Sequence, residues 1–217
     1  MDTLSGIGVL DKVVAILRVV GEGPATFREL CERTEISRAT AHRLAQGMEV
    51  VGLLRRGDDG AYTPGLALIG LGRAALEAVP LTTVAAPVLQ RLRADTGESA
   101  QRSVVEEGER LCVAAVDSGH ELRTTVPIGA RLPMDVGSAG RVLRGDAEPG
   151  SWVESVGERA PGVASVSAPI CDADGRTLAA ISVSGPIERV TRRPGERFGA
   201  EVVAAAGAVE GALRPRL

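Results

Sequence analysis

Apolar residues recur with a helical period through the first part of the chain and with a period of two further on. The clearest helical stretch is residues 37–51, SRATAHRLAQGMEVV. Ala41, Leu44, Ala45 and Met48 fall at i, i+3, i+4 and i+7, one stripe facing a core. Ser37 is placed to cap the helix by accepting from backbone N–H groups. The opposite side carries Ala39, His42, Arg43 and Gln46, flanked by Arg38 and Thr40. These groups can read base edges in a major groove. The alternative is an ordinary solvated helix, and the neighbouring segments decide between the two.

Upstream, Ser5 can cap a first helix carrying Ile7, Leu10, Val14, Leu17 and Val20, which ends at Gly21. Thr26 and Glu29 form a capping box that opens a second helix, with Phe27, Leu30 and Cys31 inward. Two short helices joined by a tight turn make a helix-turn-helix whose second helix is the reader. Downstream, two short extended pieces flank Gly57, Asp58, Asp59 and Gly60, a hairpin that reads as a wing carrying Arg55 and Arg56. Residues 64–79 are helical in composition but interrupted by Gly70 and Gly72 and read as a linker helix ended by Pro80. Residues 81–95 form another amphipathic helix through Leu81, Val84, Ala85, Val88, Leu89 and Leu92.

The period then changes. Residues 99–105, 111–116 and 122–126 read as strands, the first two joined by a turn at 106–110. Residues 138–144 suit a short helix, 163–170 and 178–184 are strands about an Asp172–Gly175 hairpin, and 196–213 is a closing helix. The fold class is α+β: a winged helix-turn-helix over 1–63, a linker helix over 64–80, and an antiparallel sheet flanked by helices over 81–217.

Composition changes this picture little. The chain has 217 residues, 44% apolar and 24% charged, with a net charge of −3. That balance argues against bulk nucleic-acid affinity, but Arg33, Arg38, Arg43, Arg55 and Arg56 make a local basic patch. Cys31, Cys112 and Cys171 have neither zinc nor disulfide spacing and read as buried free thiols. No apolar run approaches the ~20 residues of a membrane span and no signal pattern opens the chain, so a cytoplasmic location is expected.

Catalysis finds little support. The histidines are His42 on the reader helix and His120 in a loop beside Asp117 and Glu121, and no metal, phosphate-loop or nucleophile motif occurs. No catalytic residue, metal or cofactor is expected. The serines are more informative: Ser165 with Ser167, and Ser182 with Ser184, alternate so that each pair lies on one strand face. Such hydroxyls can donate to a small polar ligand, or satisfy one another.

Assembled, the chain resembles the IclR family of bacterial transcriptional regulators. The resemblance rests on SRATAHRL and GAYTPGLALIGLG in the first domain. In the second it rests on RLPMDVGSAGRVL and SVSAPICDADGRTLAAISVSGPIERV. TGESAQ, CVAA, TVPIG and GVASVSAP are similar to the actinobacterial, NdgR-like branch, associated with amino-acid biosynthesis and secondary metabolism. The resemblance implies a homodimer or dimer of dimers on an operator in double-stranded DNA, contacted from Thr26, Ser37, Arg38, Ala39, Thr40, His42, Arg43, Arg55 and Arg56. It also implies a GAF-like domain whose effector pocket is lined by Leu132, Ser138, Ala139, Val163, Ser165, Ser182 and Ser184. Some members carry acidic or cysteine groups where this chain has Ser155 and Ser165, so the ligand class stays open, with an amino acid or keto acid as candidates. Between Leu143 and Gly157 the family pattern is about twenty residues longer, a lid over the pocket. Either the chain has a genuinely shorter loop, or a segment is missing around Gly150 and Ser151; the second is the expectation, and with it a break between those two residues.

The function these features imply is a DNA-binding regulator, a repressor with some activation, controlled by a small metabolite. The competing readings are a metabolite-binding protein whose winged helix serves protein contact, and a GAF-like enzyme.

Overall fold

The computed structural model describes residues 7–77 and 80–213. The chain divides between residues 78 and 79 into two compact units. Among the described residues no helix is long and apolar enough to cross a membrane.

The first unit contains α1 (Gly8–Gly21), α2 (Phe27–Thr34), α3 (Arg38–Val50), a hairpin of β1 (Leu54–Arg56) and β2 (Tyr62–Pro64), and α4 (Ala67–Glu77). Its core gathers Ile16, Val20, Leu30, Ala41, Ala45, Met48, Leu54 and Tyr62. The α1 stripe differs from expectation. Ile16, Val19 and Val20 are buried, whereas Ile7, Leu10 and Val14 are about half exposed. The helix is apolar on most sides, so periodicity offers two stripes, and the core takes the one centred on Ile16. The expected Ser5 cap lies outside the described residues, as do the side chains of Leu81 and Val84.

The wing is anchored by backbone contacts. Gly65 N–H donates to the Leu53 carbonyl at 2.9 Å and Ala67 N–H to the Gly52 carbonyl at 3.2 Å. A Cβ on Gly65 would sit 2.0 Å from the Gly52 oxygen, so only glycine lets these two segments approach.

The second unit is a six-stranded antiparallel sheet in the order β5-β4-β3-β8-β7-β6. The strands are β3 (Ser99–Glu106), β4 (Glu109–Val116), β5 (Arg131–Leu132), β6 (Val153–Val156), β7 (Val163–Cys171) and β8 (Thr177–Pro186). The helices are α5 (Pro80–Thr96), α6 (Gly137–Leu143), α7 (Ile187–Val190) and α8 (Pro194–Leu213). Helices α5 and α8 cover one face, where Leu89, Leu92, Val166, Ile181, Val183, Phe198 and Val202 form the main core. Helix α6 covers the other face, packing Ala139 and Val142 against Val153 and Ala180.

Four expectations are corrected here. Residues 122–126 are not a strand; Pro127 follows them, and the ladder to β4 resumes only at Arg131 and Leu132. The turn after β3 is only Glu107 and Gly108, both at positive φ, so Arg110 belongs to strand β4. Strand β6 and helix α7 were not foreseen. The expected break at Gly150 is absent: the chain turns tightly there, with the Ser151 N–H and hydroxyl donating to the Glu148 carbonyl at 3.0 and 2.7 Å. The segment is a short loop.

Trp152 follows that turn and lies against α8. A Cβ on Gly195 or Gly199 would stand 2.0 or 2.5 Å from its indole, so the two glycines form the seat for the ring. Glu98 and Arg189 tie the start of β3 to α7 through a bidentate ion pair at 2.5 and 2.8 Å, with the carboxylate nearly fully buried.

Candidate functional sites: an exposed reader helix and a serine-faced cavity

In the first unit Thr26 caps α2 reciprocally. Its hydroxyl accepts from the Glu29 N–H at 3.3 Å, and its own N–H donates to the Glu29 carboxylate at 2.7 Å. That N–H, together with the Thr26 hydroxyl donating to the same carboxylate at 2.7 Å, holds the Glu29 carboxyl below the usual carboxylate range. Glu35 then adopts the left-handed conformation that ends α2 and turns the chain toward α3. Ser37 precedes α3, but its side chain makes no cap bond; its hydroxyl donates to Thr40 Oγ1 at 3.0 Å instead. The expected cap is thus replaced by a side-chain contact that also engages Thr40.

Ala39, His42, Arg43 and Gln46 are exposed along the outer face of α3, while Ala41, Ala45 and Met48 are buried beneath. Phe27 meets the His42 ring edge-on at 5.9 Å, which fixes that imidazole at the seam of α2 and α3. Other arginines of this unit are occupied: Arg28 with Glu32, Arg33 with Glu22. Arg38 and Arg43 have no carboxylate partner among the described residues. On the wing, Arg55 donates to Thr63 Oγ1 at 3.0 Å and Arg56 to the Gly60 carbonyl at 3.1 Å, with Arg56 also 5.5 Å above the Tyr62 ring. Each guanidinium has further N–H donors beyond the one so used.

In the second unit the face under α6 is built of hydroxyl rows. Antiparallel register aligns Ser155, Ser165, Ser184 and Ser99 across four strands, and Ser167, Ser182 and Gln101 across three. The first serine of α6 joins them: Ser138 Oγ lies 2.7 Å from both Ser165 Oγ and Ser167 Oγ. Ser167 in turn lies 2.7 Å from Ser182, and Ser184 donates to Gln101 at 3.1 Å. The hydroxyls thus largely satisfy one another.

Beside this network is a cavity of about 30 Å³ lined by Leu132, Ser138, Ala139, Ser165, Ser182 and Ser184, with Gln101, Ser103, Arg110, Val126, Gly137 and Arg159. Val163, expected in the lining, sits at the start of β7 opposite Pro186 and outside it. The volume is that of about one water, smaller than the metabolite-sized pocket expected. Sequence reasoning missed Arg110 and Arg159. Arg110 shares the face of Cys112, two residues on, a relation visible by period-two alternation once residues 109–116 are read as one strand. Burial and the nearby Arg159 lower the Arg110 guanidinium pKa, and burial alone lowers that of Arg159. Burial raises the Cys112 thiol pKa, against the opposing pull of the nearby Arg110 and Arg102. Among the described residues no His, Cys, Asp and Glu cluster could hold a metal ion.

Comparison with known proteins assigns both units. The model of the IclR helix-turn-helix domain matches residues 9–58. The model described as bacterial transcriptional regulator IclR C-terminal matches residues 73–149 and 149–210, two pieces that meet at the short turn before Trp152. The transcriptional repressor IclR of Escherichia coli is 26% identical, covering 85% of this chain and 81% of its own length. The glycerol operon regulatory protein of Streptomyces coelicolor is 25% identical over 96% of this chain and 89% of its own. A solved structure of an IclR homolog from Microbacterium hydrocarbonoxydans, complexed with 4-hydroxybenzoate, shares the fold with a TM-score of 0.81. It is 24% identical and covers 96% of this chain and all of that one. The chain belongs to the IclR family of bacterial transcriptional regulators, with a helix-turn-helix domain followed by an IclR C-terminal domain.

Proposed function

We propose that this regulator is an effector-controlled repressor, with activation at some promoters, that acts as a homodimer or dimer of dimers on a palindromic operator. The observation that carries DNA reading is the outer face of α3, where Arg38 and Arg43 are exposed, without an ion pair among the described residues, beside Ala39, Thr40 and His42. Arg55 and Arg56 on the wing, with Thr26 and Ser37 at helix starts, supply the phosphate contacts. One reader helix spans few base pairs, so specificity requires two half-sites about 34 Å apart or a multiple of that. The linker helix offers a surface for pairing: Ile69 and Leu71 on α4 are 68% and 61% exposed. Ala67 and Ala74 allow close approach on the same helix.

The effector site is the cavity of Leu132, Ser138, Ala139, Ser165, Ser182 and Ser184. A small metabolite bound there changes DNA affinity only if it prefers one of two states of the protein. The 4-hydroxybenzoate held by the Microbacterium homolog supports a small organic acid. The motifs of residues 96–101 and 162–169 support the NdgR-like branch, and with it a metabolite of amino-acid metabolism. Titration of the protein on its own upstream region tests the reading. Specific binding that weakens as salt rises supports it, because phosphate contacts release counterions. Absence of salt-dependent binding to that region would instead favour a winged helix used for protein contact.

A further inference from the structure

The serine cavity contains two cations and no anion. Arg110 reaches it from β4 and Arg159 from the loop after β6, and both meet over Gly137. The position of a Gly137 Cβ would be 3.8 Å from Arg110 Nη1 and 3.9 Å from Arg159 Cβ. Arg110 is only 5% exposed, and its Nε is sequestered without a hydrogen-bond partner, as is Gln101 Nε2 on the same face. No Asp or Glu lines the cavity. Glu158 is nearby, but its carboxylate accepts from the Gly137 N–H at 3.1 Å and faces Arg141 at 3.8 Å. Glu107 and Glu109, flanking Arg110 in sequence, are drawn off to Arg131 at 3.1 and 3.2 Å.

Guanidinium groups do not deprotonate in proteins, so this charge persists. A buried charge without a counter-charge is costly, and a neighbour of the same sign adds to the cost. The surrounding serines are neutral and mostly occupied with one another. We propose that Arg110 and Arg159 are a paired anion receptor and that the effector is a small aliphatic dicarboxylate. The inference rests on this cavity being the effector site, as proposed above.

Two charges select the class. A monoacid leaves one guanidinium uncompensated. An amino acid brings an ammonium group to a site with two cations and no carboxylate to receive it. A diacid neutralises both, with its carboxylates matched to the planar donor forks. Val126, Leu132 and Ala139 supply the apolar wall for the carbon chain between them. Such a diacid exceeds the cavity as folded, so its entry is coupled to an opening of the site, the differential binding that control requires.

The test uses the full-length protein and measures the shift in Tm and the calorimetric affinity with 2-methylsuccinate, butyrate and leucine. Methylsuccinate is expected to raise Tm and to bind more tightly than the other two. Arg110→Gln and Arg159→Gln are each expected to weaken it by about 10- to 100-fold, the range for one charge-assisted hydrogen bond. A second readout is independent of the probe: Arg110→Met is expected to raise the Tm of the ligand-free protein, since it removes an uncompensated charge. Binding of leucine or butyrate that Ser184→Ala abolishes, with no response to methylsuccinate, would overturn the dicarboxylate inference and leave the effector site in place. A lower Tm for Arg110→Met with no binding of any of the three compounds would overturn the receptor and count against the cavity as well.

Discussion

Truncation of Arg43 separates recognition from folding. Its side chain stands at the centre of the exposed face of α3 and has no carboxylate partner among the described residues, so Arg43→Ala breaks no ion pair among them. Exposed substitutions of this kind change stability by about 0.5 kcal/mol or less. If the guanidinium reaches a guanine, specific binding weakens by about 1–3 kcal/mol, roughly 5- to 150-fold, while nonspecific binding falls much less. Met48 is the control on the opposite face. It is 3% exposed among Ala41, Ala45 and Leu54, and Met48→Ala should cost about 2–5 kcal/mol of stability. Fluorescence anisotropy on operator and random duplexes, run beside urea unfolding of each variant, reads the two effects separately. Equal losses on both duplexes, with a salt slope lowered by about one, would refute base reading and leave Arg43 a phosphate contact.

Three further outcomes are expected. Glu98→Gln should destabilise the second unit by about 2–4 kcal/mol in urea, near the low end for a broken buried pair because Arg189 remains partly exposed. Glu29 has a depressed carboxyl pKa when folded, so its contribution is complete above the ordinary carboxylate pKa and is lost as pH falls through the folded one; Thr26→Ala, costing about 1 kcal/mol at neutral pH, should lessen that acid dependence in pH-resolved melts without abolishing it, because the residue 26 N–H still donates to Glu29. Leu71→Glu should drive the protein toward monomer in sedimentation at micromolar concentration without unfolding it, since the residue is already exposed; an unchanged dimer would remove α4 from the proposed interface.

The reader helix was legible because its two faces differ in chemistry as well as period. Ala41, Ala45 and Met48 have no rival stripe, whereas α1 is apolar on most sides and offered two. The serine face was legible for a similar reason: period-two alternation assigns Ser165, Ser182 and Ser184 before any pairing is known. The extent of bonding among those hydroxyls depends on Ser138, which arrives from a helix more than twenty residues away in sequence. Arg110 was lost because Glu106, Glu107 and Gly108 resemble a longer turn than the chain makes. Arg159 sits in a loop that no periodicity marks. A cation in a loop reads as solvated until the fold shows that nothing negative faces it. The short turn at Gly150 was misread because a familiar family length was preferred to the local turn chemistry of Pro149 and Gly150.

The indole seated on Gly195 and Gly199 is the only tryptophan in the chain, and Tyr62 of the wing is the only tyrosine. Each unit therefore carries its own chromophore. Emission excited in the indole band reports on the edge strand and closing helix of the second unit alone, at 39% exposure and hence open to quencher. Backbone ellipticity, by contrast, sums both units. If the two lose structure at different temperatures, the optical transitions will not coincide, and a single unfolding midpoint would describe neither unit. An unlabelled sample thus carries a built-in measure of whether the two units melt as one.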